Sequence, residues 1–138
     1  MARSKRPRVF LETSVYIRFL TADDEPKYER VKQLFSDIES GAVQAATSST
    51  VLLEVIYVLS KVYRFRHERV VQTIQGLCAM RSLIIVETTD TKRALEIWSS
   101  NKLPYGDCCI ATEIPTGTLL ATFDKDFQKI PNVDLYQW

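Results

Sequence analysis

Apolar residues in this chain fall into short continuous runs that alternate with longer stretches spaced three and four apart. Short runs bounded by polar residues predict buried strands, and the wider spacing predicts helices with one face turned inward. Val9-Phe10-Leu11 is the first run, and Thr13 or Ser14 can cap a helix over residues 15–20. Residues 21–26 break that helix. A second helix follows over 26–39, with Pro26 at a permitted first-turn position, Val31, Leu34, Phe35 and Ile38 on one face, and Gly41 as its stop. Residues 43–47 read as a second strand. Ser48-Ser49-Thr50 then supplies caps for a long apolar helix over 51–63, and 67–80 reads as another helix. Leu83-Ile84-Ile85-Val86 is a strand rich in β-branched residues. Asp90 or Thr91 caps the next helix, on which Trp98 reads as core or interface filler. A loop over 101–106 leads to Asp107 at the start of a short helix to Thr112, which Pro115 and Gly117 end. Residues 119–122 form a strand, and 133–136 a candidate edge strand. This alternation predicts an α/β domain with a mostly parallel sheet.

Length and composition fit one domain over residues 9–138. The chain has 138 residues, 46% apolar and 25% charged, enough to bury a core without disulfides. No apolar run approaches the ~20 residues of a membrane span, and no signal peptide is recognisable, so a cytoplasmic protein is expected. Residues 1–8 read as a basic flexible arm. The three cysteines, Cys78, Cys108 and Cys109, give neither a disulfide framework nor zinc-ligand spacing, and suit free thiols in a reducing cytosol. The single histidine, His67, sits in a surface-like turn, and the sequence suggests no nucleophile for it to activate. A net charge of +1 announces no nucleic-acid field. Basic groups at 3–8, at Arg64, Arg66 and Arg69, and at Lys125 and Lys129 read singly as solvated faces. The four glycines are scattered, so no phosphate-cradling loop is present.

What packing does not require is the pair of aspartates after the strand in Leu119-Leu120-Ala121-Thr122-Phe123-Asp124-Lys125-Asp126-Phe127. Ligands of open parallel sheets sit at the carboxyl ends of strands. Glu12 ends the first strand, Glu54 lies one turn into the helix after the second, and Asp107 opens a helix. Strand ends and following helix starts share one sheet edge, so these three can meet Asp124 there. Each alone has an ordinary reading, Glu54 as a solvent-facing acid and Asp107 as a cap. Together they form a hard-oxygen set suited to Mg²⁺ or Mn²⁺. Empty, such a cluster raises its own pKa values and costs stability. Filled, it can activate water and neutralise charge on a phosphodiester. Thr122 or Ser14 could hold a water by hydrogen bonding, and Asp126 competes with Asp124.

These residues resemble the PIN-domain nucleases, in particular the VapC-type toxins of toxin–antitoxin pairs. Val9-Phe10-Leu11-Glu12-Thr13-Ser14-Val15 is similar to the family's opening strand and acid. Val51-Leu52-Leu53-Glu54-Val55-Ile56-Tyr57-Val58-Leu59 matches the helix that carries its glutamate. Tyr105-Gly106-Asp107-Cys108-Cys109-Ile110-Ala111 resembles the Asp-x-x-Ile-Ala motif, and Thr122-Phe123-Asp124-Lys125-Asp126-Phe127 the closing Thr-x-Asp-x-Asp-Phe. The resemblance implies a three-layer α/β/α fold with a five-stranded parallel sheet. It also implies Mg²⁺- or Mn²⁺-dependent RNA cleavage, commonly in a homodimer, and a small antitoxin protein that blocks the acidic site. The family's first acid is usually aspartate; here it is Glu12, one methylene longer.

Two other readings use the same residues. A PIN-like interaction module would use the acids to bind a partner or leave them empty, and Glu12 favours it. A receiver-type phosphoryl-transfer domain needs an aspartate ending a central strand, where this chain has Glu87 after residues 83–86. The RNA target depends on loop shape and stacking surfaces rather than on the acids. The apolar residues over 26–39 and 51–63, including Tyr57 and Tyr63, are candidates for a dimer or antitoxin surface and equally for core.

Overall fold

A computed structural model describes residues 6–138. The first five residues of the basic arm lie outside the described residues. Of the remainder, Arg6 donates from Nη1 to the Gly41 carbonyl at 3.2 Å, and Arg8 already belongs to the first strand.

That strand, β1 (Arg8–Leu11), is the hydrophobic spine of the molecule. Val9, Phe10 and Leu11 are fully buried because β1 is paired on both sides. It pairs in parallel with β2 (Gln44–Ser48) and with β4 (Leu119–Ala121), and β2 pairs with β3 (Leu83–Val86), giving the order β3-β2-β1-β4. Val9 lies opposite Ala45 on one side and Leu119 on the other. The small Ala45 and Ala46 let helices approach the sheet closely where bulkier β-branched residues would hold them off.

The helices are α1 (Thr13–Thr21) and α2 (Glu25–Glu39) between β1 and β2, then α3 (Ser49–Tyr57) and α4 (His67–Cys78) before β3, and α5 (Thr91–Ser100) and α6 (Tyr105–Glu113) before β4. Right-handed crossovers carry the first two connections outward from β1 and the third back across it, which sets the helices on both faces of the sheet. The order in which strands are added therefore reverses between β1 and β4, which stay parallel. In parallel α/β sheets such a switch point opens a crevice at the strand ends.

Several local readings change. The cap of α1 is Glu12 itself, whose carboxylate accepts the Ser14 N–H; Thr13 is the first helical residue. Asp24 caps α2 through the Lys27 N–H, so Pro26 is the second helical residue. The helix expected over 51–63 is interrupted. After Tyr57 it widens into one π-helical turn, Val58–Val62, closed by Tyr63 N–H to Val58 O at 3.1 Å. Arg64, at φ 57°, then ends it. Trp98 is not core: it is half exposed and meets Tyr105 edge-on, 5.4 Å between ring centres. Of the free cysteines only Cys108 is fully buried.

Among the described residues the sheet has four strands rather than five. The 133–136 segment contributes a single parallel bridge, Leu120 to Leu135, with Leu120 N–H to Asp134 O at 2.7 Å and Tyr136 N–H to Leu120 O at 2.8 Å. Beyond it, the Trp138 indole N–H donates to the Thr122 carbonyl at 3.1 Å. No helix among the described residues is long and apolar enough to cross a membrane.

Candidate active site

Two of the acids sit on either side of the β1/β4 switch point. Leaving β1, Glu12 keeps one more ladder-like bond, its N–H to the Ala121 carbonyl at 3.1 Å, before α1 begins. Its side chain is almost fully buried, and Oε1 is crowded with donors: Ser14 N–H at 3.1 Å, Ser14 Oγ–H at 2.6 Å and Thr122 Oγ1–H at 2.6 Å. Across the gap, Asp124 follows β4 and caps a 3₁₀ turn, Lys125–Lys129, by accepting the Asp126 N–H at 2.9 Å. Ser14 Oγ accepts the Phe123 N–H at 2.8 Å, and Thr122 Oγ1 accepts the Asp124 N–H at 2.9 Å. Ser14 and Thr122 thus bolt the two strand ends together around the Glu12 carboxylate.

The other two acids come from helices. Glu54, on the second turn of α3, is half-buried, and its Oε2 accepts the Thr13 hydroxyl at 2.8 Å. Asp107, in the first turn of α6, is buried, and its Oδ2 has no hydrogen-bond partner among the described residues. Glu12, Glu54, Asp107 and Asp124 all line one open cleft of about 990 Å³. One carboxylate oxygen from each of Asp107, Asp124 and Asp126 lies within 4.8 Å of the others. Glu12 and Glu54 line the cleft without belonging to that trio, while Asp126 also pairs with Lys129 at 3.1 Å.

The electrostatics follow from this crowding. Burial, reinforced by the charges of Glu54, Asp124, Glu12 and Asp126, pushes the Asp107 carboxyl up to about 7. Burial also raises Glu54; its neighbours Glu12, Asp124 and Glu113 add to the rise, and the Thr13 hydrogen bond opposes it. Arg18 is the one cation among the described residues lining the cleft, and it is tied to Asp23 at 2.9 Å. The remaining wall is apolar, formed by Ile17, Leu53, Tyr57, Val58 and Pro104.

Some contributors were not legible in the sequence as site residues. Thr13, read only as a cap, orients Glu54. A Cβ at Gly106 would overlap Glu54 Oε1, so glycine there leaves the Glu54 carboxylate its place. The Tyr-Gly-Asp triplet is its only local signal. Glu113, at the end of α6, is buried and accepts hydroxyls from Thr50, at 2.6 Å on α3, and from Thr89 on the loop after β3. That bond ties together the two helices carrying Glu54 and Asp107, and nothing in the linear pattern pairs residues 50 and 113. Glu113→Ala removes the acceptor of two part-buried hydroxyls, each bond contributing about 1 kcal/mol net. Urea unfolding is therefore expected to show a loss of about 2 kcal/mol, and a midpoint equal to wild type would deny Glu113 this tie.

The PIN-domain family profile matches residues 9–133, most of the chain. The chain belongs to the PIN-domain family. Among solved structures, this PIN domain is similar to a chain of VapBC2 from Rickettsia felis bound to a promoter DNA fragment, with 22% identity, TM-score 0.68, and 95% of this chain and 98% of that one covered. It is also similar to VapC20 of Mycobacterium tuberculosis, described as a sarcin–ricin-loop-cleaving toxin, with 17% identity, TM-score 0.73, and 94% and 99% covered. A toxin–antitoxin complex from Klebsiella pneumoniae aligns at 20% identity and TM-score 0.58 over 91% and 94% of the two chains. At these identities the likeness shows the fold. No curated protein sequence gives a significant match to this PIN domain.

Proposed function

We propose that this PIN domain is a divalent-metal-dependent endoribonuclease and the toxin of a toxin–antitoxin pair. The observation that carries the reading is Asp107: a buried carboxyl whose Oδ2 has no partner among the described residues, facing other acids in a cleft open to solvent. Nature rarely leaves a buried polar atom unsatisfied, and an all-oxygen acidic set with no histidine or thiolate suits a hard cation. The residues therefore fit Mg²⁺ or Mn²⁺. Asp107 and Asp124 would hold it, with Glu54 and Glu12, while Asp126 competes for the same position. When bound, the ion supplies charge neutralisation at the phosphodiester and a lowered pKa for the attacking water.

The chain's own groups do the rest. Thr13 fixes the Glu54 carboxylate, leaving its second oxygen to accept a proton or a water hydrogen. Ser14 and Thr122 hold Glu12 and lock β1 to β4, so the acids stay near one another despite their repulsion. Arg18 offers a cation to the phosphate backbone at the cleft wall. The exposed apolar side chains Leu53, Ile56 and Tyr57 fit an apolar segment of an antitoxin laid beside the acids. A homodimer in the cytoplasm is the expected assembly.

One observation favours the interaction-module reading. Glu12 Oε1 is committed to three donors, which makes Glu12 a cap as much as a ligand. Purified, antitoxin-free protein is expected to cut RNA with Mg²⁺ or Mn²⁺ and to stop in chelator. Folded protein that cuts with neither ion would favour the module, and Glu12→Asp would then test whether the longer acid is the cause.

A further inference from the structure

Beside the acidic cleft, and sharing Asp124 with it, lies a second cleft of about 310 Å³. It runs between the turn at 122–125 and the segment at 135–138, and is lined by Phe123, Tyr136, Trp138, Lys125, Gln128 and Gln137 among others. Phe123 and Trp138 are stacked, 4.5 Å between ring centres and 13° between planes. Tyr136 meets Trp138 edge-on at 5.0 Å and 84°. The Trp138 N–H bond to Thr122 O fixes this group against the strand end that carries Asp124. A lysine ammonium, that of Lys27, lies 5.5 Å from the Phe123 ring centre.

These three rings pack against the core and remain open to the second cleft. They are only half-buried, and exposed Lys125, Gln128 and Gln137 stand around them. Aromatic faces with interleaved cations and amides are what proteins use for unpaired nucleotides. The rings stack on the base, the cation meets the phosphate, and the amides reach base edges. Asp124 borders both clefts, so a strand whose phosphate lies at the acids places its neighbouring nucleotide here.

We propose that this aromatic cleft is the subsite for the nucleotide flanking the scissile phosphate of single-stranded RNA, its base against Trp138 and Tyr136 and its phosphate near Lys125. The inference rests on the ribonuclease reading and deepens it, by placing substrate selection on the 122–125 and 135–138 segments rather than on the acids.

The chain has two tryptophans, Trp98 and Trp138. In a Trp98→Phe, Asp107→Asn protein, Trp138 is the sole indole reporter and RNA remains uncut. A labelled short single-stranded oligoribonucleotide is titrated in, with binding followed by anisotropy and Trp138 by its emission. Saturable quenching with the same midpoint as the anisotropy is expected. Walking one abasic position along the RNA should weaken binding about tenfold at a single position and much less elsewhere. The abasic walk repeated on wild-type protein in chelator removes any dependence on the substitutions. Binding that leaves Trp138 emission unchanged, with no position where the base matters, would overturn the subsite while leaving the nuclease standing. Wild-type protein that neither binds nor cuts RNA would overturn the ribonuclease reading, and the subsite with it.

Discussion

Asp107→Asn is expected to lower RNA cleavage by about 100-fold or more and, at the same time, to stabilise the metal-free protein at neutral pH. The first effect follows from removing a carboxylate charge at the centre of the acid cluster. Even outer partners of metal ligands are worth about 10–100-fold, and a direct ligand should exceed them. The second follows from the raised Asp107 pKa. An unfolded aspartate titrates near 3.9, whereas Asp107 in the folded protein titrates at about 7. Between those values the folded state holds a proton that the unfolded state has lost. The stabilisation from this group is complete below the unfolded value and disappears as pH rises through about 7. Stability of the metal-free wild type should therefore fall between pH 5 and pH 8, by roughly 2 kcal/mol once screening at the open cleft mouth is allowed for. Asparagine carries no such charge, so the variant should lose less over that range. Urea unfolding in chelator at the two pH values measures the difference. Parallel pH curves for the two proteins would mean that Asp107 is not the strained acid of the cluster.

Gly106→Ala should separate activity from stability in another way. Gly106 lies within α6 and is not at positive φ, so alanine suits its backbone and removes a helix penalty of about 1 kcal/mol. The added methyl, however, overlaps Glu54 Oε1. What gives way is the end of a flexible side chain rather than the main chain, so the protein folds while the Glu54 carboxylate leaves its place and its Thr13 bond. We expect cleavage to drop by about tenfold or more, with an unfolding midpoint at or above wild type. Unchanged cleavage would show that Glu54 works from another position. A lowered midpoint would show that the helix moved instead.

Both predictions concern side chains whose residue types were legible before the structure. Glu12 could be placed because it directly follows an apolar run and Asp124 because it lies just past one, Glu54 because its helix follows polar cap residues, and Asp107 because the loop over 101–106 sets it at a helix start. The right-handed parallel arrangement brings all of those positions to one sheet edge. What linear pattern could not supply was the partnership between side chains: that Glu12 would cap its own helix, that Thr13 would reach Glu54, or that Glu113 would bind Thr50. Those contacts depend on tertiary approach at the level of single ångströms. The π-helical turn at Val58–Val62 escaped for a similar reason. Its apolar spacing is compatible with a continued α-helix, and only the closing bond from Tyr63 to Val58 reveals the extra residue in the turn. The fifth strand is reduced to one bridge, Leu120 to Leu135, since β-propensity at 133–136 says nothing of how many ladder bonds the segment finds.

The central claim is that these acids hold a divalent cation. Calorimetric titration of Mn²⁺ into metal-free wild type, Asp107→Asn and Asp124→Asn tests it most directly. Saturable binding to wild type is expected, with proton release near pH 7, and loss of that binding in both variants. Equal Mn²⁺ binding by all three proteins, or none by folded wild type, would contradict it.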